Sequence, residues 1–117
     1  MEIKTIKIPE ISKKAFEVAT SNRNVLRMHE YQLAVLKISD TVEEDDTQEQ
    51  AQASFTILKE MLSFIRAVLK LDDEAYDKLL DLDNERTQEI AEKLVGYMYG
   101  LTDEQLENAA GETDPKE

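Results

Sequence analysis

Residues 47–71 of this 117-residue chain carry apolar side chains on two adjacent helical stripes. Phe55, Leu58, Leu62, Ile65 and Leu69 form one stripe, and Ile57, Met61, Phe64, Val68 and Leu71 form the other. Each steps by threes and fours, as one face of a helix requires. At about 100° of rotation per residue the two stripes cover roughly 200° of the circumference. Lys59, Glu60, Ser63, Arg66 and Lys70 are confined to the remaining arc. A helix this apolar has to be covered on two sides. The cover is supplied by the chain's own helices, by a second copy, or by a foreign chain, and function turns on which.

The chain is long enough for one domain with one core. Without cysteine it has neither a disulfide framework nor a thiolate metal site, and a reducing cytoplasm is the simpler setting. No apolar run reaches the roughly 18 residues of a membrane span, and residues 1–9 lack the apolar centre of a signal peptide. Residues 1–42 hold seven Lys or Arg against five Asp or Glu, a net of +2, whereas residues 43–117 hold seven against twenty-one, a net of −14. A field of −12 overall repels phosphate backbones and anionic lipid, so neither nucleic acid nor membrane is expected as a partner. The contrast between the two parts suits packing within the chain or head-to-tail contact between copies.

The local patterns predict an all-α domain of about five or six helices with a short extended N-terminal arm. The arm comprises residues 1–9 and stops at Pro9, which holds the preceding residue in extended backbone. Helices are expected over residues 13–19, with Ser12 as N-cap, and over 25–38, after an interruption at 21–24. Residues 40–50, with four consecutive acids at 43–46, read as a solvated linker. Thr47 and Gln50 have capping-box spacing for the long helix. A short helix follows the acids Asp72, Asp73 and Glu74, and another, capped by Asp83 or Asn84, runs to about Tyr99, where Gly100 supplies a left-handed stop. Thr102 and Gln105 form a second capping box for a last turn. The single domain is thus expected over residues 1–110, with 111–117 a disordered acidic tail.

Catalytic and cofactor chemistry finds little to use. The lone histidine, His29, lies at helical spacing between Val25 and Leu33 and is expected to be packed or partly exposed rather than a ligand. Ser12, Thr47 and Thr102 are explained as caps before they are explained as nucleophiles. Gly96, Gly100 and Gly111 make no phosphate loop. Asp81, Asp83, Glu85 and Glu92 occupy calcium-loop positions, but Arg86 stands where the sharp-turn glycine belongs, and the segment reads as a helix start. The acids Asp72, Asp73, Asp77 and Asp81 lack the enclosed pocket that an acid and base pair needs. No enzyme activity, cofactor or metal is expected. Binding, scaffolding and chaperoning remain.

Three segments, the opening MEIKTIKIPEISKKAFEVA, the doubly apolar SFTILKEMLSFIRAVLKL and the closing LTDEQLENAAGETDPKE, together resemble the small tail assembly chaperones of long-tailed, siphovirus-type bacteriophages of Gram-positive bacteria. The resemblance runs from end to end and carries across no individual functional residue. It implies an α-helical protein of the bacterial host cytoplasm that coats the long, helical, aggregation-prone tape measure protein until tail-tube polymerisation displaces it. It also implies self-association, and a longer form made by translational frameshifting.

An apolar groove with an acidic exterior suits such a client. Leu33, Leu36, Phe55, Leu58, Leu62 and Ile65 are its candidate lining, the alternative for each being a place in the core. Met28, Met61 and Met98 would let the groove adapt. Ile3, Ile6 and Ile8 are candidates for self-association into a homo-oligomer, a ring or a spiral, if the arm is donated to a neighbour rather than folded back. The competing reading is a helical adaptor or regulatory protein that binds one folded partner at a fixed ratio.

Overall fold

The computed structural model describes residues 3–42, 46–102 and 104–106. The chain begins with two strands, β1 (Ile3–Ile6) and β2 (Phe16–Ala19), paired antiparallel with Ile3 opposite Ala19 and Ile6 opposite Phe16. This corrects the helix expected over residues 13–19. A seven-residue helix would satisfy few of its backbone groups, since the four N–H groups at its start have no partner inside it. Pairing with β1 gives this segment's backbone partners and lets the alternation of Phe16 and Val18 decide which side faces in. Ile6 and Val18 point inward and are buried, while Ile3, Thr5 and Glu17 point outward. Between the strands Ile8 and Ile11 drop into the core at a turn in which the Ile8 carbonyl accepts from the amides of Ile11 and Ser12, at 2.9 and 3.0 Å. Ser12 therefore caps a turn, accepting from the Lys14 amide, and not a helix. The expected arm is extended, but it belongs to its own domain.

Among the described residues four helices of two turns or more follow: α1 (Asn22–Thr41), α2 (Thr47–Leu69), α3 (Asp73–Leu80) and α4 (Asn84–Met98). The predominantly helical architecture is the one the sequence implied. α1 starts three residues earlier than expected because Ser21 is its N-cap, accepting from the Asn24 amide. Asn24 is buried and fully used: its amide nitrogen donates to the Ala19 carbonyl, and its oxygen accepts from Arg27, which also reaches the Ala67 carbonyl. One polar cluster thus joins β2, α1 and α2. The cap of α2 is Asp46, whose carboxylate accepts from the Glu49 amide, one residue before the expected Thr47. α1 runs to Thr41 and α2 starts at Thr47, so helix takes both ends of the linker expected at 40–50, while its acids at 43–45 lie outside the described residues.

α2 ends with Lys70 in the left-handed region at φ 56°, while the Leu71 amide donates back to the Arg66 carbonyl. Asp72 and Asp83 cap α3 and α4 through the Ala75 and Arg86 amides. α4 closes at Gly100, φ 83°, with the Leu101 amide donating to the Gly96 carbonyl and the Gly100 amide to that of Tyr97. That double bond is the Schellman arrangement, in which glycine escapes the Cβ clash. The expected capping box is formed: the Thr102 amide donates to the Gln105 side chain at 2.8 Å and the Gln105 amide to Thr102 Oγ1 at 3.2 Å. Leu106 of this last turn lies against Gly96, where a Cβ would meet its side chain. Residues 107–117, which include the expected acidic tail, lie outside the described part of the chain.

The core gathers at one end. The second half of α2 contributes Met61, Leu62, Phe64, Ile65, Val68 and Leu69; α4 adds Ile90, Ala91, Leu94, Tyr97 and Met98; Leu79 of α3 and the strand residues complete it. Arg86 clamps α4 to the turn between the strands, pairing with Glu10 at 2.8 Å and reaching the Lys7 carbonyl. No described helix is long and apolar enough to cross a membrane.

Candidate partner-binding surface

From residue 29 to residue 60, no described residue is buried. This span contains most of α1 after Met28, the connection, and the first half of α2, so the two helices run on together past the core as an antiparallel hairpin. Its seam is loosely filled. Near the tip, Ile38, Thr41, Val42, Gln52, Ala53 and Thr56 border a space of about 250 Å³ between the helices. The hairpin nevertheless carries large apolar side chains. Leu33 is 66% exposed, Leu36 60% and Phe55 57%, and Leu26 lies two turns before Leu33 on the same side of α1.

The expected groove divides in two. Leu33, Leu36 and Phe55 are open to solvent and Leu58 is half-buried, whereas Leu62 (9% exposed) and Ile65 (0%) are core residues of their own chain. Phe55 to Ile65 follow one helical stripe, and the neighbours run out half-way along it. Met28, Met61 and Met98, expected to give a groove its adaptability, are likewise buried. Of the self-association candidates only Ile3 is exposed; Ile6 and Ile8 pack inside. Among the described residues neither strand pairs with a third, although the Thr5 carbonyl accepts from the Tyr97 hydroxyl and the Ala19 carbonyl from the Asn24 side chain.

A second feature was not anticipated from sequence. Between α1 and α4 lies an open cleft of about 580 Å³, walled by Tyr31, Val35 and Leu36 on one side and Ala91, Val95 and Tyr99 on the other. The Tyr31 ring stacks on Phe64, with centroids 4.9 Å apart and planes 5° from parallel, which anchors that wall to the core. Tyr99 donates from its hydroxyl to Gln32 at 3.0 Å and meets His29 edge-on, joining the end of α4 to α1. Glu92 is the charged residue on the lining. Burial, and next to it the Glu92 charge, push the Tyr31 hydroxyl above its ordinary pKa, so the phenol stays neutral and donor-capable. Sequence periodicity could have flagged Tyr31 and Val35 as apolar, but not that α4 would cross beside them.

Among the described residues no group of three or more His, Asp or Glu side chains is placed to hold a metal ion. Asp83, one of the calcium-loop acids, is spent as the α4 cap. What the geometry offers is apolar surface in helical array, bordered by acids.

A family model for phage tail assembly chaperone proteins matches residues 1–114. The chain belongs to that family. No curated protein and no solved structure is significantly similar to it. Chaperone membership implies a non-enzymatic role in tail assembly with protein partners. It also gives the exposed hairpin a context, because an assembly chaperone must present apolar surface to clients while remaining folded itself.

Proposed function

We propose that this chaperone binds the tape measure protein, a long helical and aggregation-prone client, and keeps it soluble in the host cytoplasm until the tail tube assembles around it. The observation that carries the reading is the α1/α2 hairpin: more than thirty consecutive positions hold no buried described residue, yet Leu33, Leu36 and Phe55 are more than half exposed. Large apolar side chains left exposed together on one hairpin support an interaction site there. Leu33, Leu36, Phe55 and Leu58 are the residues we assign to client contact. An amphipathic client helix would lay its apolar face along them, in the helix-in-groove mode. The net charge of −12 keeps the loaded complex dispersed.

Self-association is assigned to the β1/β2 sheet, which no third described strand extends, and to exposed Ile3, by strand addition between copies, in place of a donated arm. Closed rings or open spirals follow from a head-to-tail contact of that type.

Co-expression of the client with this chain, followed by affinity capture, tests the function. The client should become soluble only in its presence, with several copies retained per client. Leu33→Asp, Leu36→Asp and Phe55→Asp together should return the client to the insoluble fraction while circular dichroism stays unchanged. Capture of one folded partner at a one-to-one ratio would favour the adaptor reading instead.

A further inference from the structure

The cleft between α1 and α4 is separate from the hairpin tip, though Leu36 borders both, and its chemistry is more selective. Four of its lining side chains are wholly aliphatic, Val35, Leu36, Ala91 and Val95, and Tyr31 and Tyr99 add aromatic rings. Its polar members are unequal. Gln32 is engaged by the Tyr99 hydroxyl. Glu92 is solvent-exposed, joins none of the ion pairs seen at Arg66–Asp73 and Glu10–Arg86, and lies close enough to Tyr31 to raise its pKa. From Ala91 to Tyr99 the α4 wall extends eight residues, about 12 Å at the α-helical rise. That length matches two turns of an incoming helix, enough for anchors at i, i+4 and i+7.

We infer that the α1/α4 cleft takes an amphipathic helix bearing a Lys or Arg beside its apolar stripe, with Glu92 as the counter-charge that sets its register. This deepens the chaperone reading and rests on it, by naming a site and a recognition chemistry for the client. Charge complementarity selects the occupant. A second copy could offer this rim only its weakly basic part, residues 1–42 at net +2, while the rest of the same −12 chain would repel it. A client helix with a basic flank lowers that repulsion and leaves the apolar anchors to fill the cleft. The hairpin tip would then supply nonselective coverage, and the cleft would select segments in which a cation follows the apolar row.

The test uses the full chain and two synthetic amphipathic peptides of about 18 residues, long enough to hold a helix on binding. They share Leu at i, i+4 and i+7 and differ only in a Lys or Glu flanking the stripe. Titration followed by backbone amide shifts should show the Lys peptide binding about fivefold tighter, the scale of a partly exposed ion pair against a like-charge contact. The shifts should centre on residues 31–36 and 91–99. Glu92→Gln should remove most of the preference and Glu92→Lys should invert it, while Glu17→Gln, on the outer face of β2, leaves it intact. A preference unchanged in Glu92→Gln would show that only the general acidic field is felt, and would overturn the assignment. So would shifts confined to Leu26, Leu33 and Phe55, or binding by neither peptide. A doubling of light-scattering mass without peptide, abolished by Leu36→Asp, would place a second copy in the cleft and also overturn it. Each of these failures leaves client solubilisation on co-expression untouched, so the cleft can fail while the chaperone function stands.

Discussion

α2 is one continuous helix with two different lives. Its second half, Met61 to Leu69, supplies core residues; its first half, Thr47 to Glu60, runs beside α1, holds no buried residue and reaches the core through half-buried Leu58. The apolar stripes cross this boundary without a break, so the difference comes from the supply of neighbours and not from the residues of the helix. A sequence under pressure only to fold would turn polar where its neighbours end. Here Phe55 stays apolar and 57% exposed, as the proposed client contact requires.

Substitution at equivalent points of the stripe breaks the comparison most sharply. Removing residues 1–9 would take Ile6 and Ile8 from the packed end, and loss of cooperative melting is expected, where a free arm would leave the melt unchanged. Ile65→Ala should cost roughly 2–5 kcal/mol in urea denaturation, while Phe55→Ala should stay within about 0.5 kcal/mol. Equal costs at the two positions would mean that the tip is packed in solution. Amide hydrogen exchange should agree, with residues 33–41 and 47–57 exchanging through local opening and residues 61–69 and 90–97 only through global unfolding.

Smaller effects sharpen the same boundary. Lys70→Gly should raise stability by about 1 kcal/mol, because a left-handed backbone at φ 56° is strained for any residue with a Cβ. Its reading is a higher urea midpoint at constant slope. The slightest effect concerns Glu10. The hydrogen bond from Arg86 holds its carboxyl below the ordinary value of 4.5. A group whose pKa is depressed on folding contributes stability above its unfolded pKa and loses it as pH falls through the folded one. Stability should therefore decline a little more steeply below pH 4.5 in the native chain than in Glu10→Gln, and parallel pH profiles would remove the clamp from the account.

Much of the architecture was legible because it is local. The stop at Gly100, the caps at Asp72 and Asp83 and the Thr102 to Gln105 box all depend on residues within one helical turn of each other. The strand at Phe16 to Ala19 was not legible as such, since Ala15, Phe16 and Ala19 also fit one helix face. Only the distant Ile3 to Ile6 segment chooses between the two. The cap of α2 was misplaced by one residue because Asp46 and Thr47 are both good caps, and it is Asp46 that accepts from the Glu49 amide. For the candidate surface, the stripe was visible, but its division between core and solvent was not.

By itself the sequence determined that this chain is helical, acidic, and richer in apolar helix surface than its helices alone explain. Those properties follow from periodicity and composition, which are sums over near neighbours. Only the tertiary structure decided that Leu62 and Ile65 are covered while Leu33, Leu36 and Phe55 are not, that Ile6 and Ile8 belong to the core, and that α4 passes beside α1 to leave a cleft with Glu92 on its lining. Burial depends on which segments meet across the chain, and that is settled by the competition of all apolar faces for one small core.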